Sequence, residues 1–126
     1  MTRDPGIPAE SEKPWRDRVA FRCGTRTIVI QVHALEWLEA QRDYVALHVG
    51  KEEYLVRATM AQMEADLDPR LFCRIHRSTI VNIDQVREVR TGPTGEPIVI
   101  LQNGKMLALG RGYRERFFEP RRCRRG

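Results

Sequence analysis

The chemistry available to this chain lies in its basic side chains. Lys and Arg total 22 against 17 Asp and Glu, a net charge of +5 at pH 7. The sequence has no Gly-rich phosphate loop and no G-x-S-x-G nucleophile motif, and His33, His48 and His76 lack metal-ligand spacing. We therefore expect neither an enzyme nor a metal or cofactor site. Excess positive charge favours polyanions, first nucleic acid or an anionic membrane surface, whereas an ordinary solvated cationic face is the alternative.

The cysteines and the apolar runs indicate the compartment. Cys23, Cys73 and Cys123 are widely spaced, form no C-x-x-C motif and would leave one cysteine over in a disulfide framework. Cys73 lies in an apolar strand, which favours a buried, inert thiol over a redox switch. The N-terminus lacks a signal peptide's apolar stretch, and no apolar run approaches the roughly 18 residues that span a bilayer. We expect a cytoplasmic protein without membrane association.

Short apolar stretches separated by turn residues predict a meandering β protein from Trp15 onward. The predicted strands cover residues 19–23, 27–32, 35–40, 44–49, 52–57, 72–75, 85–91, 98–102 and 105–109. Asn103-Gly104 predicts a tight hairpin, because both residues accept positive φ. The expected class is mostly β.

One short α-helix interrupts the predicted strands. Thr59 and Gln62 have the spacing of a capping box, in which each side chain bonds the other residue's backbone N–H. Met60, Met63 and Leu67 then fall on one helical face, and Asp68-Pro69 ends the helix. We expect these methionines in the core. Near the C-terminus, Tyr113 and Phe117 have the spacing of a closing helical turn.

Four blocks of this sequence resemble, in order, the LytTR DNA-binding domain family. FCRIHRSTIVNIDQV at 72–86 is similar to the family's Phe-x-Arg-x-His-Arg-Ser-x-x-Val-Asn run. LEWLEAQRDYVALHV at 35–49 resembles its strand pair, RATMAQMEADL at 57–67 its short helix, and LQNGKMLALGRGY at 101–113 its final hairpin and Ser-Arg-Arg-Tyr close. The resemblance covers residues 19–118. It implies an elongated arrangement of small antiparallel β-sheets with one short α-helix, whose loops enter successive major grooves of DNA.

The resemblance also implies the DNA-binding residues. Arg77 and Ser78 lie in the most specific motif, Arg111 takes the place of the first Arg in the closing motif, and Arg42 lies in the first recognition loop. An Arg side chain suits this role because its planar fork donates two hydrogen bonds to guanine O6 and N7. Arg114 follows on the terminal segment, where phosphate contact is expected.

Other interpretations of these loops stay open. Arg77 could instead stabilise its turn by pairing with Asp84, and Arg111 could be a solvated side chain in a Gly-rich turn. Asp43 departs from the family's Asn, and DNA phosphates would repel it unless it accepts a cytosine amino proton or holds Arg42.

Two polar residues of the motif are expected to be structural. His76 and Asn82 are of the types that fix tight turns through bonds to backbone groups.

The expected organisation is a flexible N-terminal tail or linker stub at 1–15, the DNA-binding domain at 16–120 and a basic tail at 121–126. The expected partner is double-stranded promoter DNA, as direct repeats bound by a homodimer. Family members commonly follow a receiver domain, so an upstream receiver domain or a sensor kinase is a further expected partner. The alternative is a β-rich RNA or single-strand binding module, which needs exposed aromatic side chains on a sheet. We instead expect Trp15, Trp37, Tyr44 and Phe72 in the core.

Overall fold

Ten strands, two short α-helices and three 3-10 turns make up residues 16–118, the part of the chain that this computed structural model describes. The tails expected at 1–15 and 121–126 lie outside the described residues, as do Trp15 and Cys123. The elements are β1 (Arg18–Cys23), β2 (Arg26–Gln31), β3 (Leu35–Gln41), β4 (Tyr44–Val49), β5 (Glu52–Arg57), α1 (Met60–Asp66), β6 (Phe72–His76), β7 (Thr79–Asn82), β8 (Val86–Thr91), β9 (Pro97–Leu101), β10 (Met106–Ala108) and α2 (Arg114–Phe118). The 3-10 turns are Val32–Ala34, Ile83–Gln85 and Arg111–Tyr113.

The strands form three antiparallel sheets. The central sheet has five strands in the order β5-β4-β3-β7-β6, β1 and β2 form a separate hairpin, and β10-β9-β8 form a third sheet. The predicted class, mostly β with small antiparallel sheets, is confirmed. No helix within residues 16–118 is long and apolar enough to cross a membrane.

The five-stranded sheet is covered on both faces, which produces two hydrophobic clusters. On one face, Phe21 and Ile30 of the hairpin and Met60 and Met63 of α1 pack against the sheet residues Leu38, Leu47 and Ile80. On the other face, Val99, Leu101 and Leu107 of the third sheet pack against Trp37, Ile75 and Val81. The central strands β3 and β7 are therefore buried on both sides, and they form a rigid base for the turns at their ends.

Strand β7 was not among the predicted strands. All four of its residues are buried, with Ile80 in one cluster and Val81 in the other, so the segment lacks the apolar–polar alternation of a half-exposed strand. The prediction assigned this segment to the recognition motif and missed that most of it is a core strand.

Two further details correct the prediction. The turn before β10 has positive φ at Gly104 alone, not at Asn103, and the Gly104 N–H donates to the Leu101 carbonyl at 2.9 Å. This matches the longer hairpin type in which a turn is followed by one left-handed residue. The prediction of one helix is also incomplete, because the structure has a second short helix, α2, which continues the helical turn predicted at Tyr113.

Helix α1 begins as predicted. The Gln62 N–H donates to Thr59 Oγ1 at 3.1 Å, and the Thr59 N–H donates to Gln62 Oε1 at 2.8 Å, so the capping box is complete. Met60, Met63 and Leu67 are buried, which confirms that they are core residues.

Candidate nucleic-acid interface

Two of the candidate loops lie at the same end of the five-stranded sheet. Thr79 of β7 pairs with Glu39 of β3, and the Ala40 N–H donates to the Ser78 carbonyl at 2.9 Å. The β3–β4 hairpin then turns at Arg42, two residues beyond Ala40. The sheet register therefore places the Arg42 turn beside the Arg77–Ser78 turn.

A third segment reaches this end from the C-terminal part of the domain. The Gly110 N–H donates to the Ile75 carbonyl at 2.6 Å, just before the Arg77 turn, and residues 111–118 pack along β6. A Cβ atom on Gly110 would lie 3.2 Å from Tyr113 Cδ2 and 3.4 Å from the Ile75 carbonyl oxygen. The close approach favours glycine here, and it places Arg111 next to the β6–β7 turn.

The three loop arginines, Arg42, Arg77 and Arg111, are exposed. Their guanidinium groups have no hydrogen-bond or ion-pair partner within residues 16–118. The alternative pairing of Arg77 with Asp84 is thus not observed in this range, and neither is a bond from Asp43 to Arg42. Three segments from distant parts of the chain consequently bring Arg42, Arg77 and Arg111 to one end of the sheet, and in the part of the chain that the structure describes their guanidinium groups have no partner.

Arg42 has an unusual backbone conformation. It is the one non-glycine residue in the described range with a positive φ, 61°. Its hairpin has only Arg42 and Asp43 between the paired residues Gln41 and Tyr44, and two-residue hairpin loops need positive φ to match the twist of the strands. Glycine or asparagine is the usual residue at such a position, and strained residues of this kind concentrate at functional sites.

Ser78 is tied to its neighbour in the turn. Its backbone N–H donates to His76 Nδ1 at 3.2 Å, and its hydroxyl lies 2.9 Å from the same nitrogen. A neutral imidazole nitrogen carries either one lone pair or one proton, so the direction of the hydroxyl bond depends on the His76 tautomer. In either direction the Ser78 hydroxyl is engaged with His76, and its oxygen keeps acceptor capacity for a base amino group.

The structural roles expected for His76 and Asn82 are confirmed. His76 closes the turn, because its Nδ1 accepts the Ser78 backbone N–H and lies 2.9 Å from the Ser78 hydroxyl oxygen. Asn82 is 1% exposed, its Nδ2 donates to the Val32 and Leu35 carbonyls at 3.3 and 2.9 Å, and its Oδ1 accepts from the Asp84 N–H at 2.9 Å.

Arg114 is half-buried at the start of α2, and its Nε atom is enclosed with no hydrogen-bond partner in the described range. In the chain it directly follows the 3-10 turn that carries Arg111. Cys73 is buried as expected, and its Sγ lies 3.6 Å from the Arg74 carbonyl oxygen.

Sequence reasoning missed Arg57, a basic residue near the first loop. Arg57 pairs with Tyr44 across β4 and β5, and its guanidinium lies 5.8 Å from the centre of the Tyr44 ring. Together with Arg42 and Asp43 it lines a shallow, open cleft beside Thr59. The sequence contained the information needed to find Arg57. Its two strands are joined by a turn at Gly50, and the pairing register counted from that turn places Arg57 opposite Tyr44.

It also missed a carboxylate behind the loops. Glu64 of α1 accepts hydrogen bonds from Arg74, at 3.1 Å, and from Arg116. Burial acts to raise the pKa of Glu64, but the bonds from Arg116 and Arg74 lower it by more, so its pKa lies below the usual 4.5. The three residues are far apart in sequence, and no local pattern links them.

Within residues 16–118, no group of three or more His, Cys, Asp or Glu side chains could hold a metal ion.

Comparisons with known proteins show the family and the fold of this chain. The sequence profile of the LytTr DNA-binding domain matches residues 25–120. Among curated proteins, an uncharacterised response regulatory protein from Vibrio cholerae is 33% identical over 70 residues, 52% of this chain and 27% of that protein. Transcriptional regulatory protein LytR from Staphylococcus aureus is 32% identical over 71 residues, 56% and 29% of the two chains. Sensory transduction protein LytR from Streptococcus mutans is 20% identical over 105 residues, which are 83% of this chain and 43% of that protein.

The fold also matches a solved structure. The LytTr DNA-binding domain of a response regulator from Bacillus cereus superposes with a TM-score of 0.72 at 18% identity, and the match covers 82% of this chain and 95% of that one. The chain spans less than half the length of the three curated relatives above. Since the family profile matches most of its residues, the chain belongs to the LytTR family of DNA-binding regulator domains, which is not an enzyme family.

Proposed function

We propose that this domain binds duplex DNA sequence-specifically, as the DNA-binding part of a bacterial transcriptional regulator that acts on the DNA of the cytoplasm. The observation that carries the proposal is the convergence of Arg42, Arg77 and Arg111 at one end of the central sheet, with free guanidinium groups within the described range. All three lie on loops, so the loops, and not a helix, would enter the major groove.

The chemistry of each group suggests its role. Arg42, Arg77 and Arg111 are exposed, and each can donate two hydrogen bonds to one guanine edge. Arg114 is half-buried and less able to reach a base, so we assign it to the phosphate backbone, where contacts set the position of the protein on the duplex. Ser78 holds the Arg77 turn and offers an acceptor to a base amino group.

The wider assembly is also a proposal. Two copies would occupy direct repeats as a homodimer on promoter DNA, because placing two copies side by side raises their effective concentration. The relatives are named as response regulatory and sensory transduction proteins and are longer than this chain. We infer control by an upstream receiver domain and, through it, a sensor kinase.

The alternative, binding to RNA or single strands, needs aromatic side chains that bases can stack on. Trp37 and Phe72 are buried, as predicted. Tyr44 is 41% exposed, which corrects its expected place in the core, but Arg57 already lies against its ring. One partly occupied ring does not make a stacking surface, so duplex DNA remains the favoured partner.

The proposal is tested by selecting duplexes from a random-sequence pool with the purified domain at moderate salt. We expect a short repeated motif to be enriched by the wild type. Arg77→Ala and Arg111→Ala should each lose about 1–3 kcal/mol of discrimination at one base position. Arg22→Ala, which removes an exposed arginine of β1, is the matched control and should keep the motif.

Two outcomes would contradict the proposal. One is an absence of any enriched duplex, and the other is enrichment that both loop variants retain. Stronger binding to a single-stranded version of the selected DNA than to its duplex would favour the alternative partner.

A further inference from the structure

A single carboxylate joins three elements behind the DNA-binding loops. Glu64 of α1 accepts a hydrogen bond from Arg74 of β6 through Oε1, at 3.1 Å, and another from Arg116 of α2 through Oε2. Glu64 is only half-buried, but the Arg74 side chain is 18% exposed. The carboxylate therefore fixes a largely enclosed guanidinium group.

Arg74 in turn holds the turn that carries Arg77. Its Nε donates to the His76 carbonyl at 3.3 Å, and its Nη2 donates to the Arg77 carbonyl. These two bonds are made by the same guanidinium group that Glu64 orients. A rotation of the Arg74 side chain would thus move or release the carbonyl groups of His76 and Arg77, and with them the backbone that carries the Arg77 side chain.

The other side of the cluster holds the segment that carries Arg111. The Arg116 and Arg74 guanidinium groups lie 5.5 and 5.8 Å from the centre of the Tyr113 ring. The Tyr113 N–H donates to the Gly110 carbonyl at 3.0 Å, which closes the turn around Arg111. The two cations beside this ring repel each other, and Glu64, which bonds to both, offsets that repulsion.

We propose that Glu64 is a positioning residue for DNA recognition: through Arg74 and Arg116 it sets the placement of Arg77 relative to Arg111, and it does not contact DNA itself. This inference rests on the proposed function, in which those two loop arginines contact bases. The Glu64 carboxylate is ionised at neutral pH, as the bridge requires, and although burial acts to raise its pKa, the bonds from Arg116 and Arg74 hold that pKa below its usual range.

The direction in which one substitution changes the affinity for DNA distinguishes this positioning role from a simple charge effect. Glu64→Gln keeps the shape of the side chain and removes one negative charge. If only charge mattered, the variant would bind DNA more tightly, because one carboxylate less repels the phosphates. A positioning role predicts weaker binding. Glu115→Gln on α2 is the matched control, since Glu115 is exposed and has no partner within residues 16–118.

The test measures fluorescence anisotropy with a labelled duplex that the wild-type domain has selected from a random pool. We expect Glu64→Gln to raise Kd about five- to tenfold, the size of effect typical for coupled neighbours. Glu115→Gln should leave Kd unchanged or lower it. The slope of log Kd against log salt should not change in Glu64→Gln, because the number of phosphate contacts stays the same. Unchanged or tighter binding by Glu64→Gln would overturn the proposal.

A double-mutant cycle excludes a merely structural effect. In an Arg77→Ala background, Glu64→Gln should raise Kd by a smaller factor than it does in the wild type, because one of the two arginines that it positions is already gone. If the full loss persists in that background, Glu64 acts through overall stability or charge, and the proposal is wrong.

A measurement without DNA keeps this inference separate from the proposed function. In ¹H–¹⁵N spectra of the free, folded domain, Glu64→Gln should shift the amides of Arg77, Ser78, Gly110 and Arg111, whereas Glu115→Gln should leave Arg77 and Ser78 in place. If the wild type selects no duplex, the proposed function fails while the spectra still test the coupling. If neither loop shifts in Glu64→Gln, the positioning role is refuted whatever the DNA result.

Discussion

Replacing Arg42 by glycine should raise the stability of the domain and lower its affinity for DNA. The backbone at Arg42 has a φ of 61°, a left-handed conformation that costs a residue with a Cβ atom about 1–2 kcal/mol. Glycine adopts it without that cost but loses about 0.5–1 kcal/mol through the greater freedom of the unfolded chain. We therefore expect the free energy of unfolding to rise by up to about 1.5 kcal/mol in Arg42→Gly, which corresponds to several degrees in Tm.

Binding should move in the opposite direction. Arg42 is exposed at the loop end of the sheet without a partner in the described range, so its removal costs no internal contact there. The loss of one arginine that contacts a base should weaken binding to the selected duplex by about 1–3 kcal/mol, or roughly five- to 150-fold.

Urea unfolding followed by circular dichroism measures the first effect, and anisotropy titration measures the second. Arg42→Ala is the control that separates them, because alanine removes the guanidinium group but retains the strain. It should bind as weakly as Arg42→Gly and gain no stability. The reasoning is refuted if Arg42→Gly is destabilised by more than about 1 kcal/mol, since glycine would then not relieve strain. It is equally refuted if Arg42→Gly binds the selected duplex as tightly as the wild type.

Three further predictions follow from the surroundings of the site. Ser78→Ala should weaken DNA binding less than Arg77→Ala, by under about tenfold, because its hydroxyl is engaged with His76 and a neutral hydrogen bond contributes about 1 kcal/mol; an equal loss in an anisotropy titration would contradict this. Asn82→Ala should lower the free energy of unfolding by about 2–3 kcal/mol in urea, since it leaves buried backbone groups unpaired, and a change under about 0.5 kcal/mol would contradict that role. Burial acts to raise the pKa of Glu64 and that of Asp68, but their arginine partners lower both by more. The stability that these two carboxylates contribute should therefore be present at neutral pH and be lost as the pH falls below about 4.5, with a smaller loss in Asp68→Asn when urea unfolding is measured at a series of pH values.

Local patterns in the sequence determined the parts of this domain that depend on near neighbours. Alternation and turn residues predicted nine of the strands, because a half-buried strand exposes every second side chain. The capping box at Thr59 and Gln62 predicted the start of α1, because both of its hydrogen bonds lie within one helical turn. The order of four motif blocks indicated the family, and the family profile confirms it.

Only the tertiary structure decided how these parts combine. Strand β7 gave no periodic signal because it is covered on both faces, and that burial depends on two layers contributed by distant segments. The positive φ of Arg42 follows from the strict register between β3 and β4, which the residue type would not suggest. The bridge from Glu64 to Arg74 and Arg116 spans 52 residues of sequence, and it exists because α1, β6 and α2 pack together. Contacts between residues so far apart in sequence depend on the complete fold, so a local sequence pattern cannot predict them.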